Sequence, residues 1–261
     1  MNINLIGDHK TKIRLRDAKR LWLFLDYDGT LAEFARTPDD IIVDHTLISI
    51  LDEIRKNPNI RIAIVSGRRL AHIRKLIPLH GILLAGSYGV EIINFEGKKN
   101  DRLDYNEYRQ YINILKPEFD SLLEKKEAFY LEDKGWSLAI HGKYAEDTIS
   151  KQVIAEAERL SKQTIDLSKF QILGGHRFFE IAPKEANKGK TIKYLLHKFP
   201  FKDALPVYIG DDDKDEIAFK AIKKSGGIPI LVSNIPRETE ADLRFSSPLD
   251  LRNWLNTLHT M

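Results

Sequence analysis

The chain has 261 residues, and its 41 basic and 38 acidic side chains leave a net charge of +3, so it lacks the basic excess of a nucleic-acid binder. Hydrophobic content of 43% and charged content of 30% are those of an ordinary soluble protein of one large or two moderate domains, and the absence of cysteine excludes disulfides, thiolate metal sites and cysteine nucleophiles. No apolar run approaches the roughly 18 residues that span a membrane, and Asp8, His9 and Lys10 interrupt the start before a signal core can form, so the expected location is the cytoplasm.

Residues 1–20 are mixed and basic without a clear period, and are expected to cover an edge of the core or to fray. Leu21 to Leu25 is a run of five apolar residues that fits a strand buried on both faces, as in a parallel sheet. A loop ending in Pro38-Asp39-Asp40 follows. Asp44 then caps a helix whose apolar face is Leu47, Ile48, Leu51 and Ile54. Ile60–Val65 is a second strand, and a helix carrying Leu70, Ile73 and Ile77 comes after it. Ile82–Ala85 is a third strand, ending in Gly86-Ser87-Tyr88-Gly89. Strands alternating with helices predict a parallel α/β sheet.

The pattern changes near residue 100. Val90 to Phe95 with the Glu96-Gly97 turn reads as a hairpin, and a long polar helix runs from about Tyr105 to Lys126. Short strands are expected at 128–131, 136–140, 165–167, 170–173 and 178–181, with a helix over 147–162. This α+β stretch reads as an inserted domain over 101–184, flanked by core segments 1–100 and 185–261. The core then resumes: Asn187 caps a helix, Leu205–Ile209 is a strand, and a helix and the strand Ile228–Val232 follow. An amphipathic helix runs from Pro248 to Leu258.

Polar residues gather where these units begin and end. Asp26 and Asp28 lie just past the first strand, at the edge where α/β sheets carry their chemistry. Two carboxylates so spaced repel unless a cation sits between them, and a hard ion such as Mg²⁺ suits them. An Asp held on a metal can also attack phosphorus. Ser66-Gly67-Arg68 offers a hydroxyl and free N–H groups at a helix start, which suit an anion. Lys188 is a cation in a helix first turn, where the dipole disfavours it, so another contact must hold it there. Asp211, with Asp212, Asp213 and Asp215, makes a further acidic cluster. Each alone has a plainer reading, as an Asp-Gly turn, a helix cap, a solvated lysine or an acidic helix start. Their placement on successive units of one sheet argues for one site.

Taken in order, Asp-x-Asp-Gly-Thr, Ser-Gly-Arg, a lone Lys and Gly-Asp-Asp-x-x-Asp-Glu resemble the motifs of the haloacid dehalogenase-like phosphatases. Within them the chain is similar to the trehalose-6-phosphate phosphatase family, in Leu25 to Leu31 with Pro38-Asp39, in Glu132-x-Lys134-Gly135, in His141, and in Gly175 with Glu180-Ile181-x-Pro183. The resemblance implies a Rossmann-like core with an inserted cap, and a Mg²⁺-dependent hydrolase acting through an aspartyl-phosphate. It implies Asp26 as nucleophile and Asp28 as general acid/base. Metal ligands would be Asp26, the Asp28 carbonyl, Asp211 and, at one remove, Asp215. Ser66, Gly67, Arg68 and Lys188 would hold the phosphoryl group. Glu132, Lys134, His141, Lys143, His176 and Glu180 would face the sugar. Tyr88, Lys143 and His176 depart from the family's usual His, Arg and Lys, which leaves glucosylglycerol phosphate or a sucrose phosphate as alternative substrates. The partner implied is a small sugar phosphate, with no nucleic acid or membrane, and the chain is expected to be a monomer or weak oligomer.

Other classes fit less well. Gly189-Lys190-Thr191 matches the end of a P-loop, but Lys184 stands where its first glycine is required. No Gly-x-Gly-x-x-Gly follows the first strand, as a dinucleotide site needs. A catalytically silent subunit would have lost core residues, and none is missing.

Overall fold

The computed structural model describes residues 5–33 and 42–260. In chain order its elements are β1 (Leu5–Gly7), α1 (His9–Arg16), β2 (Leu21–Leu25), α2 (His45–Ile54), β3 (Ile60–Val65), α3 (Leu70–Leu76), β4 (Leu83–Gly86), β5 (Glu91–Ile93), β6 (Lys99–Asp101) and α4 (Tyr105–Leu123). There follow β7 (Tyr130–Asp133), β8 (Leu138–His141), α5 (Asp147–Thr164), β9 (Phe170–Gly175), β10 (Phe178–Pro183) and α6 (Lys188–Lys198). Last come β11 (Leu205–Gly210), α7 (Glu216–Lys224), β12 (Ile228–Val232), β13 (Leu243–Phe245) and α8 (Pro248–Leu255).

The chain divides into two compact units, one of residues 1–100 with 187–261 and one of 101–186. The first is built on a sheet in the order β1-β13-β12-β11-β2-β3-β4-β5-β6. From β13 to β4 the neighbours run parallel, while β1 and β5 pair antiparallel with the strands beside them. The fully buried β2 explains its unbroken apolar sequence, because successive side chains point to opposite faces. Leu21, Leu23 and Leu25 pack with the buried residues of α2, α3 and α8. Trp22 and Phe24 pack on the other face, against Ile192 and Leu195 of α6 and Phe219 and Ile222 of α7. The parallel α/β core expected from the sequence is present.

The second unit is a four-stranded antiparallel sheet, β7-β8-β10-β9, with α4 and α5. Phe119 of α4 meets Phe179 of β10 edge-on, and Val153 and Ala157 of α5 are buried.

Several local readings change. Residues 5–16 do cover an edge of the core, as expected, but as a strand paired with β13 and a short helix, which Asp8 caps through the Thr11 N–H at 2.9 Å. The strand expected at 165–167 is absent: the Asp166 side chain accepts the Ser168 N–H at 2.8 Å and its carbonyl accepts the Phe170 N–H, which closes a turn. The turn expected at Glu132-Asp133 begins later, since both residues belong to β7 and pair with Ala139 and Leu138. The Pro38-Asp39-Asp40 loop lies outside the described residues.

Candidate active site

Four segments at the carboxyl edge of the parallel strands supply the site. β2 delivers Asp26, whose N–H still reaches the Ile209 carbonyl of β11 at 2.9 Å. The Asp26 carboxylate is buried and lies 3.1 Å from the Lys188 ammonium at the start of α6. Lys188 also lies 2.6 Å from Oδ1 of Asp215, so the contact that the helix dipole required is a pair of carboxylates. Asp215 is wholly buried: Tyr208 also donates to Oδ1, and Oδ2 takes the N–H groups of Asp211 and Asp212 at 3.0 and 3.2 Å. Gly210 precedes this turn because a Cβ there would stand 2.3 Å from the Asp215 carboxyl carbon. Asp211 accepts a hydrogen bond from Thr30 at 2.9 Å.

Carboxylate oxygens of Asp26, Asp211 and Asp215 all lie within 4.8 Å of one another. Burial pushes the Asp26 carboxyl well up; Lys188 opposes this, and Asp215, Asp211 and Asp212 add to it. Asp211 is pushed up to about 7 by burial first, then by Asp215 and Asp212. Burial works against the Lys188 charge, yet Asp215 and Asp26 outweigh it and raise its pKa. Burial likewise opposes the Asp215 charge, and Lys188 with Tyr208 and a backbone N–H still holds it below the usual carboxylate range. Buried oxygens with too little positive charge are the donor set of a hard divalent cation, so the residues fit one. Both oxygens of Asp215 are already engaged, which makes it better suited to orienting Lys188 and the turn than to direct ligation.

Asp28 stands apart from this cluster. Its two oxygens take Nε and Nη2 of Arg68 at 2.7 Å each, in a fork on a nearly buried guanidinium. Arg68, expected on phosphate, therefore holds Asp28 here. Ser66 is buried, and its hydroxyl accepts the Arg68 N–H at 3.1 Å. The strand-end residues beyond β4 close the loop, with Ser87 N–H on the Arg68 carbonyl and Tyr88 N–H on the Ser66 carbonyl.

The second unit has its own charged cluster. Glu180 of β10 is wholly buried and accepts from the Lys134 ammonium and the Ser137 hydroxyl, each at 2.9 Å. Lys134 lies 3.9 Å from Glu132, which in turn meets His141 Nε2 at 3.0 Å. Lys143 and His176 are not in this cluster. His176 and Arg177 both reach Asp147 at 3.0 Å, and the Lys143 ammonium lies 5.8 Å from the Tyr144 ring centre. A cavity of about 220 Å³ is lined by His141, Lys143, His176 and Arg177, so His141 links the two groups. Sequence reasoning missed Thr30, Tyr208 and Ser137. Thr30 is part of the Asp-x-Asp-Gly-Thr motif; Tyr208 is hidden in an apolar strand, and only its hydroxyl partner reveals it.

A parallel α/β sheet whose first central strand ends in Asp26-x-Asp28, with Ser66, Lys188 and the Asp211–Asp215 turn around it, defines a haloacid dehalogenase-like protein. The family model described as trehalose-phosphatase matches residues 24–248, and the chain belongs to that family. It is 30% identical over 253 residues to trehalose-phosphate phosphatase B of Arabidopsis thaliana, covering 92% of this chain and 66% of the relative. It is 29% identical to probable trehalose-phosphate phosphatase 4 of Oryza sativa subsp. japonica, over 91% of this chain and 65% of the relative. The chain thus spans slightly under two thirds of these curated relatives. Among solved structures, the C-terminal domain of trehalose-6-phosphate phosphatase from C. albicans shares the fold, with a TM-score of 0.81 at 20% identity over 97% of this chain and 98% of that one. A trehalose-6-phosphate phosphatase from Aspergillus fumigatus gives 0.68 at 22%, over 97% and 98%. Among the described residues no helix is long and apolar enough to cross a membrane.

Proposed function

We propose that the chain is a Mg²⁺-dependent phosphatase that hydrolyses trehalose 6-phosphate to trehalose and phosphate through an aspartyl-phosphate on Asp26. The observation that carries this reading is the buried Asp26 carboxylate, held by Lys188 inside a cluster of oxygens that fits a hard cation. The family match and the relatives' names support the substrate.

Asp26 and Asp211, with the Asp28 carbonyl, would hold the ion; when bound it offsets the charge of the carboxylates and of the phosphate. An Asp26 oxygen attacks phosphorus and displaces the sugar oxygen, to which Asp28 passes a proton that it takes from solvent on leaving Arg68. Asp28 then takes a proton from water, whose oxygen attacks the same phosphorus, releasing phosphate and freeing Asp26. To act so, Asp28 must leave the Arg68 fork, and the guanidinium it leaves can take phosphoryl oxygens with the same geometry. Lys188 keeps its ammonium beside the attacking oxygen, and Ser66 supports the phosphoryl group. Charge spread over three oxygens in the transition state makes such positioning the main source of catalysis.

The second unit acts as a cap that supplies sugar contacts from Glu132, Lys134, His141, Lys143, His176 and Glu180. The buried Glu180 orients the Lys134 ammonium rather than exposing its own carboxylate. Phosphate release is to be measured across trehalose 6-phosphate, sucrose phosphate, glucosylglycerol phosphate and glucose 6-phosphate. A kcat/KM highest for trehalose 6-phosphate is expected, and preference for another member would reassign the substrate.

A further inference from the structure

Tyr208 carries the one polar side chain of β11, Leu205-Pro206-Val207-Tyr208-Ile209-Gly210, and it is wholly buried. Its ring does what a phenylalanine would do. It meets Phe219 of α7 edge-on, with ring centres 5.7 Å apart, in the same cluster as Trp22, Phe24 and Ile222. The hydroxyl adds nothing to that packing, and a buried hydroxyl is costly unless it is hydrogen-bonded. It donates to Oδ1 of Asp215.

Asp215 is well supplied without it. Oδ2 accepts the N–H groups of Asp211 and Asp212 at 3.0 and 3.2 Å, and Oδ1 accepts the Lys188 ammonium at 2.6 Å. What the phenol changes is freedom of movement. The torsion that turns an Asp carboxylate about its Cβ–Cγ bond is soft, and the acidic turn holds only Oδ2. Among the described residues, Oδ1 is held by Tyr208 and Lys188. Tyr208 stands on a strand paired on both sides, between β2 and β12, whereas Lys188 reaches in on a flexible four-carbon stem. With the phenol in place both oxygens are fixed, and the carboxylate plane with them. Without it, carboxylate and ammonium would swing as a pair. The same ammonium lies 3.1 Å from Oδ2 of Asp26, so a swing there would be felt at Asp26.

We propose that Tyr208 is a positioning residue for phosphoryl transfer: its hydroxyl locks the Asp215 carboxylate, which in turn holds the Lys188 ammonium against the attacking carboxylate of Asp26. The proposal rests on the preceding reading of Asp26 as nucleophile. A misplacement of about 1 Å can cost on the order of 100-fold in rate, so the partial shift allowed by losing one of four donors is expected to cost about tenfold. The loss belongs to the phosphoryl half of the reaction, so it is independent of the alcohol that leaves.

Tyr208→Phe keeps the ring and removes only the hydroxyl. Wild type and variant are compared, well below their melting temperatures, in kcat and KM for trehalose 6-phosphate and for p-nitrophenyl phosphate, and in Mg²⁺ affinity by isothermal titration. The expected result is a kcat lower by about tenfold and by the same factor on both esters, with KM and the Mg²⁺ constant each within about threefold of wild type. An unchanged kcat beside a lower melting temperature would make the hydroxyl a purely structural group and overturn the proposal. A Mg²⁺ constant weakened in step with kcat would place its effect on the acidic turn instead of Lys188, and a loss confined to one ester would place it on the alcohol; either result also overturns it. A wild-type chain that turns over neither ester removes the reading of Asp26 and this role together, whereas an active wild type matched by the variant removes only the role of Tyr208.

Discussion

Lys188→Met removes the one ammonium that two buried carboxylates share, while keeping an unbranched side chain of similar length. The lysine side chain is 4% exposed, and Asp215 and Asp26 are 0% and 8% exposed. Breaking a buried pair by removing one partner costs about 3–5 kcal/mol, because the charge left behind is unsolvated. Two features place this case near the low end. Asp215 keeps the Tyr208 hydroxyl and two backbone N–H groups, and Asp26 can take up a proton, its carboxyl being already raised by burial. About 3 kcal/mol corresponds to a melting temperature lower by roughly 6–12 °C for a chain of this size. The sign with pH follows from Asp26. Without Lys188 its pKa rises further, so its proton-bound form dominates at low pH and the penalty shrinks there; the full loss appears as pH rises towards 8. Differential scanning calorimetry of the metal-free proteins at pH 5.5 and pH 8 reads both effects. Adding Asp26→Asn removes the stranded charge and should return part of the lost stability. A Lys188→Met protein within about 1 kcal/mol of wild type at pH 8, or a double variant less stable than Lys188→Met alone, would refute the reasoning.

Asp26→Asn should leave the fold intact and abolish turnover, since an amide cannot attack phosphorus; retained phosphate release would remove Asp26 as nucleophile. Mg²⁺ affinity should rise with pH through about 7, because the proton on Asp211 competes with the ion; isothermal titration from pH 5.5 to 8.5 checks this, and a flat profile would exclude Asp211 as a ligand. By the same shift, Asp211 stabilises the metal-free fold most below about pH 4, and that contribution is lost as pH rises through about 7. Glu180→Ala removes the nearest carboxylate from the buried Lys134 ammonium and leaves it Glu132 at 3.9 Å, so it should lower thermal stability and cut kcat/KM for trehalose 6-phosphate at least about tenfold more than for p-nitrophenyl phosphate. Equal losses on the two esters would confine Glu180 to a structural role.

What the sequence discloses depends on how local each cause is. β2 is legible because burial on both faces demands an unbroken apolar run, and Asp44 and Asn187 because a cap acts within three residues of itself. The acidic turn is legible as a cluster, but its internal roles are not. Asp215 and Asp211 look alike in the sequence, yet one is tied up by four donors and the other accepts from Thr30. β13 escapes notice because three residues with a central Arg244 carry no periodic signal, and α1 because only Leu15 of its eight residues is buried. The fork between Asp28 and Arg68 joins residues 40 apart, and only the parallel pairing of β2 with β3 brings them together. Glu180 reads as an alternating polar position on a strand; its complete burial depends on Lys134 arriving from the turn before β8.

The charges of the core site argue for the order of binding. Asp26, Asp28, Asp211 and Asp215 face Lys188 and Arg68, so four formal negative charges meet two positive ones. Lys188 is spent on Asp26 and Asp215, and Arg68 on Asp28, so neither cation can take up a phosphate dianion without giving up a carboxylate. The metal-free site therefore either repels the dianion or must take up protons, which burial favours on Asp26 and Asp211. On the proposed mechanism a divalent cation would bring the formal sum to zero and restore Asp26 as an ionised nucleophile. Substrate would then enter by exchange of partners: the phosphoryl oxygens would replace Asp28 on the Arg68 fork and release Asp28 to handle the proton. The ion would thus be required before the substrate can bind well, not only for the chemical step. Inorganic phosphate should bind the metal-free protein far more weakly than the loaded one, and the same phosphate constant with and without Mg²⁺ would show that these charges are balanced in some other way.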